Sequence, residues 1–184
     1  MRLTQTLDAT CNVPDFQQCT AVMSDLAAQI QLTEYCGDDF KMENPMVRQA
    51  YTGFVAYQPL YRAGCLTNDN GQYCFAAAVN NASLSSSAYA YYMPLGVSFP
   101  STSKPACNSC LRNTMSVFAL YASDSTQPLS TTYDSAASQL DDTCGAQFVE
   151  AARAPSVNAA GRTTFTIELG MSLTLFMIFL HFIV

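Results

Sequence analysis

The chain of 184 residues contains no tryptophan and a single histidine, and only 12% of its residues are charged. Each scarcity removes a class of chemistry. The one imidazole, His181, stands close to the last residue inside an unbroken apolar run. A Ser–His–Asp or Cys–His arrangement needs a positioned imidazole to accept the nucleophile's proton, and a histidine-ligated zinc needs the same ring as a ligand. Triad hydrolysis and His-ligated metal chemistry are therefore close to excluded. Basic residues are also few: eight Lys and Arg stand against fourteen Asp and Glu, for a net charge of −6. Phosphate contacts need clustered Lys and Arg, so nucleic acid is not an expected partner. Neither a metal site nor a cofactor is expected.

What the chain does have is apolar bulk and sulfur. Hydrophobic residues make up 49% of it, enough to bury a core and too many, with too little charge, for a disordered chain. Eight cysteines are present: Cys11, Cys19, Cys36, Cys65, Cys74, Cys107, Cys110 and Cys144. With no histidine and no zinc-type spacing beside them, they read as structural disulfides formed in an oxidising compartment. Most fall at expected helix ends. Local bridges Cys11–Cys19 and Cys65–Cys74 would each contribute roughly 2–3 kcal/mol by restricting the unfolded chain. Cys107-Asn108-Ser109-Cys110 is a CxxC, but nothing around it gives the βαβ context of a redox site, and a metal reading wants a second CxxC.

Apolar spacing is helical almost throughout. Phe16, Cys19, Met23, Leu26, Ala27 and Ile30 recur at three and four, a helix entered through Pro14-Asp15. Val47, Ala50, Tyr51, Phe54, Tyr57 (or Gln58), Tyr61 and Cys65 do the same after Asn44-Pro45, with Pro59 expected to kink or split the pattern. A third helix carries Leu111, Met115, Phe118 and Tyr121 and opens near Pro105. A fourth carries Tyr133, Ala136, Ala137, Leu140 and Cys144 and closes at Gly145. Shorter helices fit Leu3–Cys11 and Tyr73–Val79. The cluster Thr67-Asn68-Asp69-Asn70-Gly71 predicts a turn. Residues 80–87 read as an exposed loop carrying the sequon Asn81-Ala82-Ser83, which makes Asn81 a glycosylation candidate. Residues 90–100 read as extended and aromatic, the one place for a strand.

The C-terminus carries the sharpest signal. Residues 169–184, LGMSLTLFMIFLHFIV, hold no charge. As a helix they cover roughly 24 Å, short of the ~30 Å hydrocarbon core of a bilayer. A polar spacer, GRTTFTIE, precedes them, and before it come the small residues Ser156-Val157-Asn158-Ala159-Ala160. Small residues, spacer and apolar tail make the signal for a glycosylphosphatidylinositol (GPI) anchor. Asn158 is the expected attachment residue, with Ala159 and Ala160 as alternatives. A short membrane-spanning helix is the rival reading. Such a precursor enters the secretory pathway through a leader. The opening MRLTQTLDATC is too polar to be one, so either the C-terminal signal is spurious or the leader lies upstream of Met1, and the cysteine usage favours the second.

Two further groups invite a chemical reading. Asp38-Asp39 and Asp141-Asp142 are paired carboxylates, but adjacent residues on one helix point apart, whereas a glycosidase needs its two facing across a cleft. They read as caps and solvated turns. Tyr51, Tyr57, Tyr61, Tyr89, Tyr91 and Tyr92 could line a groove for sugar or lipid, although such residues more often fill a core and its rim.

The stretches LTQTLDATC, AYTGFVAYQPLYRAGCL, YCFAAAVNN, AYAYYMPLG and CNSCLRNTM resemble a family of fungal secreted proteins of unknown function. The resemblance runs from residue 3 to about 148. It implies a cysteine-rich helical ectodomain with a GPI-type tail, and a longer N-terminus with further cysteines. It carries no catalytic residue. A haem-binding fungal surface module also has eight cysteines, but packs them into a much shorter span than Cys11 to Cys144.

The sequence thus predicts a mainly α, disulfide-stabilised helical domain over residues 1–150, a flexible stalk over 151–158 and a GPI propeptide or membrane tail over 159–184. The expected role is a non-enzymatic one at the extracellular face of the plasma membrane or in the cell wall. The membrane and a wall polysaccharide or another surface protein are the expected partners. Two alternatives are a surface-attached carbohydrate-active enzyme using aspartates and a secreted carrier with an apolar pocket between helices.

Overall fold

Short polar side chains set three of the helix starts. The computed structural model describes residues 2–12, 15–82 and 85–149. Helix α1 (Arg2–Asn12) is followed by α2 (Phe16–Gln29), whose N-cap Asp15 accepts hydrogen bonds from the backbone N–H groups of Gln17 and Gln18 at 2.8 and 3.2 Å. Helix α4 (Pro45–Val55) is capped by Asn44, with Pro45 in its first turn, and α7 (Ser109–Ala119) by Asn108. Helix α8 (Leu129–Cys144) ends at Gly145, whose φ of 102° suits a residue without Cβ. Between these lie α3 (Gly37–Lys41), α5 (Tyr57–Gly64) and α6 (Cys74–Asn80).

The mainly helical, disulfide-stabilised domain expected from the sequence is present, with no strand among the described residues. The long pattern around Pro59 does split, at Ala56. Pro59 sits in the first turn of α5, where its missing N–H removes no intrahelical bond. Helix α3 spans too few residues to show a period. It depends on Gly37, where a Cβ would come within 2.6 Å of the backbone of Gln31 and Leu32.

One segment corrects the sequence reading. Residues 80–87 were expected as loop and 90–100 as extended, yet Ser85–Leu95 forms a 3-10 helix. Its side chains follow a period of three. Ser87, Ala90 and Met93 are buried on one face, while Tyr89, Tyr92 and Leu95 are 45%, 48% and 38% exposed on another. A helix with three residues per turn eclipses positions i and i+3, so this order suits a 3-10 helix and blurs both strand alternation and α-helical spacing. Neighbouring helices hold it in place. Tyr91 and Thr114 of α7 share a hydrogen bond of 3.1 Å, and Thr132 of α8 donates to the Met93 carbonyl at 3.1 Å. The main core forms around it: Met93, Met115, Phe118, Leu129 and Leu140 are fully buried.

The disulfides also depart from expectation. Cys11 pairs with Cys65, Cys74 with Cys110 and Cys107 with Cys144. The local pairings Cys11–Cys19 and Cys65–Cys74 do not form, because helix packing brings distant ends together and leaves the flanks of each short loop facing different neighbours. Cys107 and Cys110 bond different partners, so their CxxC is no dithiol pair. Cys19 and Cys36 are free, against the expectation that all eight cysteines are bridged. Cys19 faces the Tyr57 hydroxyl, and Cys36 forms the N-cap of α3.

The described residues belong to the unit Met1–Ala154; the unit Pro155–Val184 lies outside them. The stalk, the attachment candidates Asn158, Ala159 and Ala160, and the apolar run therefore lie outside the described residues. Among the described residues no helix is long and apolar enough to cross a membrane.

Candidate functional site

Amphipathic spacing builds the walls of an apolar groove. On α5, Tyr57, Leu60, Tyr61 and Gly64 follow the i, i+3, i+4, i+7 pattern of one helix face, and on α1 Leu7, Thr10 and Cys11 follow the same rule. The 3-10 helix contributes Tyr91, Tyr92 and Leu95. Gly53 of α4, Cys65 and Phe75 complete the lining of a groove of about 420 Å³. That volume lies within the range of small-molecule sites. The Cys11–Cys65 bridge is part of the wall.

Three of the groove's tyrosines, Tyr57, Tyr61 and Tyr91, are tied into the protein by their hydroxyls and present their rings. Tyr61 donates to the Cys11 carbonyl at 3.2 Å, and its ring lies 5.8 Å from that of Tyr57 and 4.9 Å from that of Phe16. Phe75 and Tyr91 meet at 4.8 Å between ring centres. Burial and a hydrogen bond with the Cys19 thiol push the Tyr57 phenol up to about 12. Burial also raises Tyr91, against a smaller opposing effect of its bond with Thr114. Tyr57 and Tyr91 are thus neutral at ordinary pH. No acidic, basic or histidine side chain is among the described residues of the lining.

Gly53 shapes the wall by what it leaves open. A Cβ built there meets no heavy atom within 4 Å. A larger side chain at this helical position has room to grow into the groove.

Of the six tyrosines expected at a groove, the structure brings Tyr57, Tyr61, Tyr91 and Tyr92 together. Tyr51 instead packs its ring against Phe40, with centroids 5.0 Å apart, and Tyr89, exposed one 3-10 turn before Tyr92, is not among the lining residues. Leu7, Phe75, Gly53 and Leu95 were missed. Their only sequence signal was membership of short amphipathic segments, which does not say which segments meet.

The paired aspartates are spread over the surface. Asp38 pairs with Lys41 at 3.6 Å, Asp39 accepts from the Asn44 amide, and Asp141 accepts the Val149 N–H at 2.8 Å. Among the described residues no group of three or more His, Cys, Asp or Glu is placed to hold a metal ion.

A separate, polar cleft of about 690 Å³ lies between α1 and α6, and Asn81 is on its rim together with Asp8, Asn68 and Gln72. Asp8 accepts from the Tyr73 hydroxyl at 3.0 Å. Burial, then that carboxylate, raises the Tyr73 phenol. Asn81 is exposed at the end of α6, while Ser83 of its sequon lies outside the described residues.

A family model described as Domain of unknown function (DUF7729) matches residues 1–153. No curated protein and no solved structure matches the chain.

Proposed function

We propose that this chain, which belongs to that family of unknown function, is a non-catalytic binding module of the cell surface whose groove takes an apolar ligand. The groove carries the reading: a concave site walled by aromatic and aliphatic side chains from α1, α5, α6 and the 3-10 helix, with no charge in its described lining. Three disulfides support an oxidising compartment. The tail of small residues, spacer and apolar run supports tethering by a GPI anchor at Asn158, outside the plasma membrane or in the cell wall. The resemblance to fungal secreted proteins points the same way.

Holding a ligand needs no catalytic group, which suits a site whose polar atoms are nearly all engaged within the protein. The test is to purify the native protein, extract it with organic solvent and identify what is released by mass spectrometry. The expected result is one class of apolar molecule in near-equal amount to the chain, strongly reduced from Gly53→Leu. An extract with nothing beyond the background of the preparation, or one unchanged by Gly53→Leu, would overturn the reading.

A further inference from the structure

We infer that the ligand of the groove is a neutral lipid alcohol, its hydrocarbon body against the rings and its hydroxyl at Tyr92; the inference rests on the groove being a binding site. The first observation is charge. An ionised carboxylate or phosphate drawn into the groove would lose its water and find no cation among the described lining residues. The basic residue on α5, Arg62, is engaged elsewhere: its guanidinium lies over the Phe16 ring at 4.9 Å, and its charge acts on Tyr121.

The second observation is the state of the hydroxyls. Thr10 donates to the Thr6 carbonyl, Tyr61 to the Cys11 carbonyl, Tyr57 is bonded with the Cys19 thiol and Tyr91 with Thr114. Tyr92 alone among the lining tyrosines has no side-chain hydrogen bond to a described residue, and it is 48% exposed at the rim. The groove therefore offers one uncommitted polar group, at its edge, over an otherwise apolar surface. A sugar presents many hydroxyls, each of which would be buried without a partner here. A molecule with a large apolar body and one terminal hydroxyl leaves nothing unpaired. The phenol ring of Tyr92 suits that boundary, being apolar along its body and polar at its tip.

The experiment compares three probes that share one hydrocarbon chain and differ at its end: dodecanol, dodecanoate and dodecylammonium. Each is titrated into the full, disulfide-intact chain at about pH 8, where the acid is ionised and the amine charged, with bound ligand counted by native mass spectrometry. Dodecanol is expected to bind at least about tenfold more tightly than either ion, a ratio worth about 1.4 kcal/mol. Tyr92→Phe should weaken dodecanol by about threefold to tenfold, the range of one net hydrogen bond, and leave the ions unchanged. Gly53→Leu should remove dodecanol binding while the protein stays folded.

Dodecanoate or dodecylammonium binding as tightly as dodecanol, with Gly53→Leu abolishing both, would overturn the neutral-ligand inference and leave the groove as a site. The same holds if Tyr92→Phe leaves dodecanol affinity unchanged. Failure of all three probes to bind, or binding indifferent to Gly53→Leu, would overturn the groove as a site altogether.

Discussion

Cys11 at the end of α1 is bonded to Cys65 just after α5, so that residues 54 positions apart in the chain have Cα atoms 5.6 Å apart. Both residues line the groove, and the Tyr61 hydroxyl donates to the carbonyl of Cys11 beside the bridge. One covalent bond therefore fixes the position of α1 against the rest of the domain and closes one wall of the site. Without it, α1 would be held mainly by the small cluster of Leu7 with Tyr73 and Ala76.

Replacing both bridge residues by serine should accordingly affect stability and binding together. Loop-closure entropy for a separation of this size stabilises a fold by about 4 kcal/mol. The double variant Cys11→Ser with Cys65→Ser is expected to lose about that much in a denaturant titration, and to bind apolar ligand weakly even under conditions where the rest of the domain stays folded. An unchanged unfolding midpoint would show that the bridge is not holding α1.

Alkaline pH should loosen the same region. The Tyr57 phenol is raised from its ordinary value of 10.0 to about 12, first by burial and then by its bond with the Cys19 thiol. A raised folded-state value means that the fold prefers the neutral phenol. The stabilisation is complete below about pH 10 and is lost as pH rises toward 12. Tyr73, Tyr91 and Tyr121 are shifted in the same direction. Stability measured against pH should therefore fall steeply above about pH 10, and Tyr57→Phe should make that fall shallower. Identical profiles for the two proteins would count against the assignment to Tyr57.

The pair Tyr91–Thr114 gives a test of how the 3-10 helix is held. Both side chains are buried, and their bond is 3.1 Å long. Thr114→Val keeps the shape and removes the partner, leaving the Tyr91 hydroxyl in an apolar environment at a cost of about 1–3 kcal/mol. The loss should be visible in thermal unfolding, while Tyr91→Phe with Thr114→Val should recover much of it. A double variant no better than Thr114→Val would place the cost elsewhere.

Two modifications follow from the proposed compartment. Asn81, exposed at the rim of the polar cleft, should carry an N-glycan removable by peptide-N-glycosidase, with a mass shift lost in Asn81→Gln. The native protein should also partition into detergent and move to the aqueous phase after treatment with phosphatidylinositol-specific phospholipase C. Its C-terminal peptide should then end at Asn158 or at one of the alternatives Ala159 and Ala160. Retention in detergent with an intact peptide through residue 184 would favour a membrane-spanning tail.

Much of the fold is legible in the sequence because its helices are amphipathic and their starts carry Asp15, Asn44-Pro45 and Asn108, side chains that cap locally. These signals act over a few residues. Ser85–Leu95 is misread because tyrosines and alanine in a three-residue repeat look like a strand when alternation and the α-helical period are the only templates. The disulfides are misread because pairing reflects which helix ends meet in space, and Cys11 lies nearer in sequence to Cys19 than to Cys65. The aromatic composition of the groove is visible in advance, but its assembly is not. Tyr57 and Tyr61 share a face by spacing alone, whereas joining them to Tyr91 and Tyr92 requires the tertiary contacts made by Thr114 and Thr132.

The central claim, that the groove between α1, α5 and the 3-10 helix is the binding site, is tested most directly by photoaffinity labelling of the full chain. A long-chain alcohol bearing a diazirine at the middle of its chain is irradiated with the protein, and the adducts are mapped by peptide mass spectrometry. The account predicts adducts concentrated on the groove residues Leu7, Leu60, Phe75 and Leu95, suppressed by excess dodecanol and absent from Gly53→Leu. Adducts confined to residues 159–184, or scattered over the surface and indifferent to Gly53→Leu, would contradict it.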